Sequence, residues 1–334
     1  MINETPATLS ATPQAVRLGM ISNPNSGRNR RHLSSISAML DLTPGAFHIV
    51  TARSEDIALA MTELGRAGVN VLAINGGDGS VAHVLGELVT GTAFESPPLL
   101  CALPGGTTNV TVGDVGIRGS LQGSVLKLLA WARGVQRGAR IVQRPIISVR
   151  NATGESLGCG LVFGVGAVVD GIEYWHEQVR SRGMRSEFSS GVAMIRTLWG
   201  MMRGHEGFAR PLEIHISTPG CAAPLDGEFM LLVISTLQRL FLGIHPFWGP
   251  GEEALRITAI ERGAQQFMRS LPSVLRGRPA QCVRADTGYH SARLDSVQLD
   301  FNGAFTLDGE LHHVAPGSGP LHVGVAGNAR FLRI

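Results

Sequence analysis

The feature that most constrains the fold of this sequence is a regular alternation of short apolar runs and helical patterns between Arg17 and about Arg140. The apolar runs are RLGMIS (17–22), FHIVT (47–51), NVLAIN (70–75) and LLCALP (99–104). Such alternation is typical of βαβ units, so it predicts a parallel sheet flanked by helices. Because ligands of open α/β sheets bind beyond the carboxyl ends of the strands, we expect a functional site in the loops after these runs.

The second part of the chain has a different pattern. After about residue 140, strand-like runs separated by turn residues predominate, among them SLGCGLVFGVGAVV (156–169), GEFMLLVIST (227–236), QCVRA (281–285) and AFTLDGE (304–310). These runs predict a β-rich, β-sandwich-like domain with a few helices. We therefore predict an α/β domain over residues 15–140 and a β-rich domain over residues 141–334, with the last ~20 residues as a candidate return to the first domain.

Charge and composition exclude several classes of function. The formal net charge of the 334 residues is +3 and the basic residues are scattered, so we expect no nucleic-acid partner. Lys127 is the only lysine, which excludes a lysine-dependent P-loop. Phosphate binding would therefore depend on backbone N–H groups, hydroxyl groups, arginine or a metal ion.

Cysteine spacing and hydropathy favour a cytoplasmic protein. The N-terminal stretch lacks the pattern of a signal peptide, and the longest apolar runs are shorter than the ~20 residues that a membrane span needs. Any membrane contact is thus expected to be peripheral and transient. No pattern selects an oligomeric state, which leaves a homodimer open. The cysteines stand far apart, as is typical of reduced thiols: Cys101, Cys159, Cys221 and Cys282.

The loop after the third apolar run, GGDGS (76–80), places an aspartate among glycines. These glycines allow the backbone to approach a ligand closely, and the following helix offers N–H donors that suit a phosphate. Asp78 could then hold Mg²⁺ or orient a nucleotide, or it could simply cap the helix. Two further loops with small and polar residues, NPNSG (23–27) and PGGTTN (104–109), follow the first and fourth runs and favour a nucleotide site.

With FTLDGE (305–310) as a fourth motif, the order and separation of these stretches make the sequence resemble the diacylglycerol kinase catalytic domain family. That family includes bacterial lipid kinases and sphingosine and ceramide kinases, and the resemblance covers most of the chain from Arg17 to the end. It implies an α/β domain of the NAD kinase and diacylglycerol kinase type that binds ATP with Mg²⁺. It also implies transfer of the γ-phosphate to the hydroxyl group of a lipid, such as a diacylglycerol or a sphingoid alcohol.

The resemblance further implies roles for individual residues. Glu310 matches the general base that accepts the proton of the acceptor hydroxyl, and Asp308 matches its acidic partner. Asp78 and Glu252 are the candidate metal ligands, the second for a structural Mg²⁺ in the β-rich domain. The residues that match nucleotide-binding positions are Asn23, Ser26, Gly27, Thr51, Gly76, Gly77, Asp78, Gly79, Ser80, Val81, Ala82, Thr107 and Asn109.

Two departures from the family pattern leave alternatives open. The acidic residue that often follows the asparagine of the PGGTTN loop is Val110 here, with Asp114 as the nearest acid, and the structural metal site keeps only Glu252. A non-catalytic protein of the same fold that binds a nucleotide or a lipid therefore stays an alternative. A soluble-substrate kinase of the NAD kinase or phosphofructokinase type also uses a Gly-Gly-Asp-Gly loop, but it lacks the order PGGTTN and then LDGE.

Two stretches have both a packing and a lipid-binding interpretation. EFSSGVAMIRTLWGMMRG (187–204) has apolar residues at helical spacing with arginines around them, so it either packs in a core or lies on an anionic membrane. FLGIHPFWGPG (241–251) either packs its aromatic residues or lines an acyl chain. In both cases packing is the simpler interpretation.

Two short motifs look functional, but a simpler structural interpretation accounts for each of them. PLDGEF repeats the Asp-Gly-Glu pattern, but its pair Asp226 and Gly227 predicts a plain turn before a strand. His312 and His313 are adjacent, so on a strand they face opposite sides and cannot readily bind one metal ion.

Overall fold

The computed structural model describes residues 15–135, 138–173, 212–219 and 224–334. The chain forms two compact units. The first runs to Arg144 and is completed by Gly327–Ile334, and the second spans Pro145–Ala326. The predicted fold class is confirmed, since an α/β unit with parallel strands is followed by a β-rich unit. The amphipathic stretch 187–204 lies outside the described residues.

The first unit contains the predicted parallel sheet. Its strands lie in the order β2-β1-β3-β4 and are β1 (Leu18–Ser22), β2 (Phe47–Val50), β3 (Val71–Gly76) and β4 (Leu99–Pro104). The helices that connect and follow them are α1 (Asn29–Asp41), α2 (Asp56–Arg66), α3 (Asp78–Thr90), α4 (Val110–Val115) and α5 (Leu121–Ala132).

Helices cover this sheet, which explains why its inner strands read as apolar runs. Every residue of β1 and β3 is buried, as expected for a parallel sheet packed on both faces. Met20, Ala73 and Cys101 share one core cluster with Ile36 of α1 and Leu128 of α5. Burial also raises the pKa of the Cys101 thiol. Polar residues are therefore concentrated where the strands end.

The second unit is built mainly from antiparallel pairs. Its strands, of which the first and last also supply residues to the first unit, are β5 (Arg140–Arg150), β6 (Ser156–Gly160), β7 (Val162–Gly166), β8 (Leu212–Ser217), β9 (Leu225–Ser235), β10 (Leu255–Glu261), β11 (Tyr289–Leu294), β12 (Ser296–Asp300), β13 (Gly303–Leu307), β14 (Glu310–Val314) and β15 (Leu321–Arg333). Helix α6 (Phe267–Leu275) follows β10. The pairing order includes β14-β13-β7-β9-β8-β12, so β14 lies at one end.

Two local predictions are wrong. Instead of a strand at 281–285, the chain forms a turn over Ala285–Thr287, which the Thr287 hydroxyl closes by accepting a hydrogen bond from the Arg284 N–H at 3.0 Å. Asp226 and Gly227 lie inside β9 rather than in a turn, because pairing with β8 extends the strand through them. None of the helices in the described residues combines the length and the apolar character that a bilayer crossing requires.

Candidate functional site

The carboxyl ends of the four parallel strands lie level with one another. Ser22 of β1 pairs with Val50 of β2 and Asn75 of β3, and Gly76 of β3 pairs with Pro104 of β4. The loops that leave these strands therefore meet at one edge of the sheet, as expected for parallel strands. That edge carries the three loops predicted to bind a nucleotide.

Asp78 is the central polar residue of this loop edge. It begins α3, and its side chain is buried. Its Oδ2 accepts hydrogen bonds from the Thr108 hydroxyl at 2.9 Å and the Val110 N–H at 3.1 Å, and its Oδ1 accepts one from the Thr111 N–H at 2.9 Å. Because Val110 and Thr111 open α4, Asp78 caps a helix other than its own. The carboxylate thereby ties the loop after β3 to the loop after β4.

Two contacts bring the loops closer together than larger residues would allow. A Cβ on Gly106 would lie 2.5 Å from the Cα of Gly77, and a Cβ on Gly27 would lie 2.8 Å from Oγ1 of Thr107. Carbon atoms do not approach that closely without displacing a neighbour, so both positions favour glycine. The loops after β1, β3 and β4 are thus in mutual contact.

Asn109 closes the loop after β4. Its backbone is left-handed, with a φ of 49°, which asparagine tolerates better than most residues. Its Oδ1 accepts a hydrogen bond from the Gly106 N–H at 2.9 Å, and its Nδ2 donates to the Gly106 carbonyl at 2.8 Å. The amide that matches a nucleotide-binding position is therefore engaged within its own loop.

The other residues predicted for the first unit surround the same edge. The Asn23 side chain donates from Nδ2 to Oγ of Ser80 at 3.5 Å, which joins the loops after β1 and β3. Thr51 is buried directly after β2, and its N–H donates to the Ser22 carbonyl at 3.0 Å. The remaining residues lie either before α1 or in the first turns of α3: Ser26, Gly79, Val81 and Ala82.

Sequence reasoning missed a buried polar network beneath the loop after β1. Nδ2 of Asn29 donates to the carbonyl oxygens of Asn23 at 2.7 Å and Asn75 at 2.9 Å. Nδ2 of Asn75 donates to Oγ of Ser22 at 3.0 Å, and this hydroxyl is also 2.8 Å from Nε2 of His48. The available signal was a polar residue at the end of each of two otherwise apolar strands.

In the second unit, Asp308 and Gly309 form the turn between β13 and β14. Their φ angles of 49° and 90° match the two-residue hairpin turn that favours Asp-Gly. The Asp308 carboxylate accepts hydrogen bonds from the N–H groups of Leu161 and Val162, both at 2.9 Å. A Cβ on Gly160 would lie 2.7 Å from Oδ2 of Asp308, so this approach depends on glycine. Asp308 thus fastens the hairpin to the junction of β6 and β7.

Glu310 begins β14 directly after this turn, and its side chain is exposed. Its cross-strand neighbour on β13 is Leu307. His312 follows on the same face of β14, opposite Phe305, and the two rings stack with centroids 4.8 Å apart and planes 10° apart. Phe305 stacks in turn on Phe163 of β7, with centroids 5.2 Å apart. This face therefore carries an exposed acid beside a ring held by an aromatic stack.

The surroundings of His312 affect its charge. Burial lowers the pKa of His312, the Glu310 carboxylate acts to raise it, and the neighbouring His313 lowers it further. Because burial dominates, the imidazole of His312 is held in its neutral form more strongly than that of an exposed histidine.

The candidate metal ligands do not form a preassembled site. Among the residues that the structure describes, no group of three or more His, Cys, Asp and Glu side chains could hold a metal ion. Glu252 is exposed shortly before β10. Asp114 forms a buried ion pair with Arg144, with Oδ2 and Nε 2.8 Å apart and the side chains 3% and 8% exposed. Asp114 is therefore committed to Arg144.

Comparison with known proteins supports the resemblance. Residues 17–142 match the family model described as the diacylglycerol kinase catalytic domain, which confirms the predicted resemblance over that part of the chain. A search of the curated proteins finds no match.

Two solved structures from Bacillus anthracis str. Sterne share the fold. One, assigned only provisionally as a diacylglycerol kinase, has a TM-score of 0.62 and 16% identity and covers 96% of this chain and 97% of its own. The other, named as a diacylglycerol kinase, has a TM-score of 0.58 and 15% identity, with coverage of 96% and 97%. At such identities the likeness establishes the fold alone.

Proposed function

Because residues 17–142 match the diacylglycerol kinase catalytic domain, we propose that this protein is a lipid kinase that transfers the γ-phosphate of ATP to a lipid hydroxyl group. The observation that carries the proposal is the convergence of three small-residue loops at one edge of the parallel sheet, two of which Asp78 ties together. A site of this kind suits a ligand with several phosphates.

The loop edge fits a nucleotide in two respects. Gly77 and Gly106 carry no side chains that would cover the backbone where the two loops meet, so a phosphate can approach that backbone closely. Helix α3 is 13 residues long and begins after Gly77 with no side-chain cap of its own, so its N-terminal N–H groups and dipole can favour an anion. Ser80 supplies a hydroxyl in the first turn of the same helix.

A divalent cation accompanies the nucleotide in kinases, and we propose Mg²⁺ here. The two Asp78 oxygens already accept three hydrogen bonds, so about one of their roughly four lone-pair positions stays open. This donor set fits an ion held mostly by phosphates and water, with Asp78 as a single protein ligand. When bound, the cation would offset negative charge on the transferred phosphate. The described residues place no further candidate ligands with Glu252, so its role as a metal ligand stays a prediction.

Glu310 is the proposed general base. Its carboxylate is exposed, it stands at the start of an edge strand, and the turn before it is fastened by Asp308. An alcohol is a weak nucleophile, so a carboxylate that accepts its proton assists attack on the γ-phosphate. Leu307 and Phe305, the cross-strand neighbours of Glu310 and His312, are buried in the core of the second unit and hold this hairpin in place.

The acceptor lipid implies contact with a membrane surface, which we propose to be peripheral and transient. In the 241–251 stretch, Phe247 is buried, as the packing interpretation expects, whereas the Leu242 side chain is exposed.

Phosphorylation of a total lipid extract with radiolabelled ATP and Mg²⁺ tests the proposal. We expect a labelled lipid with the wild-type protein, and a loss of about 10²–10⁴-fold in rate for Glu310→Gln with ATP affinity retained. Glu213→Gln, the same change at an exposed glutamate of β8, is the matched control and should keep the wild-type rate. A Glu310→Gln variant with the wild-type rate would show that another group accepts the proton.

A second candidate is a non-catalytic protein that binds the nucleotide without transferring phosphate. It is favoured by Val110 at a position where the family often has an acid, and by the commitment of Asp114 to Arg144. Calorimetric titration that detects ATP binding, together with no labelled product from any lipid class, would support this candidate over the kinase.

A further inference from the structure

The proposed role of Glu310 as base does not explain why His312 lies on the same face of β14. Both side chains project from the same face of β14, two residues apart, which corresponds to about 7 Å along the strand. The glutamate side chain is long enough to span much of that separation. The carboxylate therefore lies close enough to act on the charge of the imidazole, as its effect on the pKa of His312 indicates.

The His312 ring is held in place by its contacts. It stacks almost parallel on Phe305, which is fully buried and stacks on the equally buried Phe163. This cross-strand stack keeps the ring on the face of β14 that also carries Glu310. Adjacent His313 is exposed on the opposite face of β14, so the chain itself provides a comparison residue.

We propose, resting on the proposed kinase function, that His312 is a positioning residue that acts through Glu310 by receiving the proton that Glu310 takes from the lipid hydroxyl. The hydroxyl loses its proton to the carboxylate as its oxygen bonds to the γ-phosphorus and the bond to ADP breaks. The proton then passes from Glu310 to the neutral imidazole and from there to water. Glu310 is thereby returned to its charged form for the next turnover.

The charged groups near His312 are few among the described residues. On β14 itself they are Glu310 on the same face and His313 on the opposite face, and the adjoining turn contributes Asp308. Strands β13 and β7, with the sequences GAFTL and VFGVG, contribute no titratable side chain. Burial keeps the imidazole neutral above its lowered pKa, so it can accept a proton at neutral pH.

His312→Phe is the decisive variant, because phenylalanine keeps a ring on Phe305 but cannot hold a proton. Under the proposal its kcat falls about tenfold, while KM for ATP is unchanged. In the wild type, the rise of kcat at acidic pH should reflect deprotonation of both Glu310 and His312. In the variant it should reflect deprotonation of one group. His313→Asn should keep the wild-type kcat and the two-proton rise, which should move to slightly higher pH because His313 no longer lowers the pKa of His312. A His312→Phe enzyme with the wild-type kcat and pH profile would overturn the proposal.

Proton NMR gives a readout that does not depend on turnover. The His312 ring signal among the 11 histidines is identified by its loss in His312→Phe. Since the Glu310 carboxylate raises the pKa of His312, Glu310→Gln should lower that pKa further, and an unchanged value would contradict coupling of the two groups. If wild-type protein labels no lipid, the kinase function fails, and the NMR titration still decides whether Glu310 and His312 are coupled.

Discussion

Two Asp-Gly pairs in different units of the molecule use their aspartates in the same way. Asp78 of the α/β unit accepts hydrogen bonds from the N–H groups of Val110 and Thr111. Asp308 of the β-rich unit accepts them from the N–H groups of Leu161 and Val162. Each carboxylate therefore fastens its own loop to a pair of consecutive backbone N–H groups elsewhere in the fold.

The two pairs differ in the structural element to which the bound N–H groups belong. The N–H groups bound by Asp78 are the unsatisfied first donors of α4, whereas those bound by Asp308 lie at the junction of two strands. Asp78 begins a helix, and Asp308 sits in a left-handed turn with a φ of 49°. The comparison teaches that an acid within a motif can position the residues around it. Asp78 combines this positioning role with its proposed contact to Mg²⁺, whereas Asp308 leaves the proposed chemistry to its neighbour Glu310.

The largest effect is expected from Asp78→Ala. It leaves two backbone donors of α4 without an acceptor and should lower the free energy of unfolding of the first unit by about 2–3 kcal/mol. Hydrogen exchange of the Val110 and Thr111 amides should accelerate, since these are the donors that lose their partner. Denaturant unfolding and amide exchange provide the two measurements.

Two further variants separate the fastening role of Asp78 from a purely chemical one. Thr108→Val removes only the hydroxyl donor and should cost about 1 kcal/mol. Asp41→Ala, at an exposed aspartate at the end of α1, should leave stability almost unchanged. If Asp78→Ala abolished turnover at full stability and normal amide exchange, its carboxylate would act on the substrate rather than on α4.

A smaller effect is expected from Asp308→Asn. Asparagine tolerates the left-handed turn, but its Nδ2 cannot accept a hydrogen bond, so either Leu161 or Val162 loses its acceptor. We expect a loss of about 1–2 kcal/mol in the second unit and a fall of about tenfold in kcat, with unchanged ATP affinity. Denaturant unfolding and steady-state kinetics measure these effects. Asp300→Asn, at an exposed position of β12, serves as the control, and equal losses in both variants would contradict the role of Asp308.

Much of this arrangement could be predicted from the sequence because it follows from local patterns. The alternation of apolar runs predicts the strands, and parallel strands must end at one edge, which brings the loops of Asn23, Asp78 and Thr107 together. The Asp-Gly turn before Glu310 likewise follows from the preference of that pair for left-handed backbone. Periodicity and turn chemistry are properties of neighbouring residues, so a single sequence contains them.

The partners of the two aspartates could not be predicted, because they depend on tertiary contacts. Asp308 binds backbone 146 and 147 residues away, and a backbone N–H leaves no trace in a sequence. A tertiary contact also explains why the turn predicted at Asp226 is wrong, since pairing with β8 outweighs the turn preference of Asp-Gly. The polar network of Asn29 was missed because its acceptors are carbonyl groups that every residue possesses.

The smallest effect concerns His48, which contacts the Ser22 hydroxyl beneath the loop after β1. Burial lowers the pKa of His48 below its ordinary value of 6.5, and the Asp41 carboxylate offsets part of the shift. The unfolded chain therefore binds a proton at a higher pH than the folded chain does. This contribution to stability is complete above about pH 6.5 and is lost as the pH falls from there through the lowered pKa.

His48→Gln should remove this pH dependence, because glutamine can keep a contact with Ser22 but does not titrate. The difference between the free energies of unfolding at pH 7.5 and pH 5.5 should then be smaller in the variant than in the wild type, as denaturant titrations at the two values would measure. His313→Asn, at an exposed histidine of the second unit, should keep the wild-type difference. An unaltered difference in His48→Gln would mean that the polar network around Ser22 tolerates a charged imidazole, and would contradict the lowered pKa of His48.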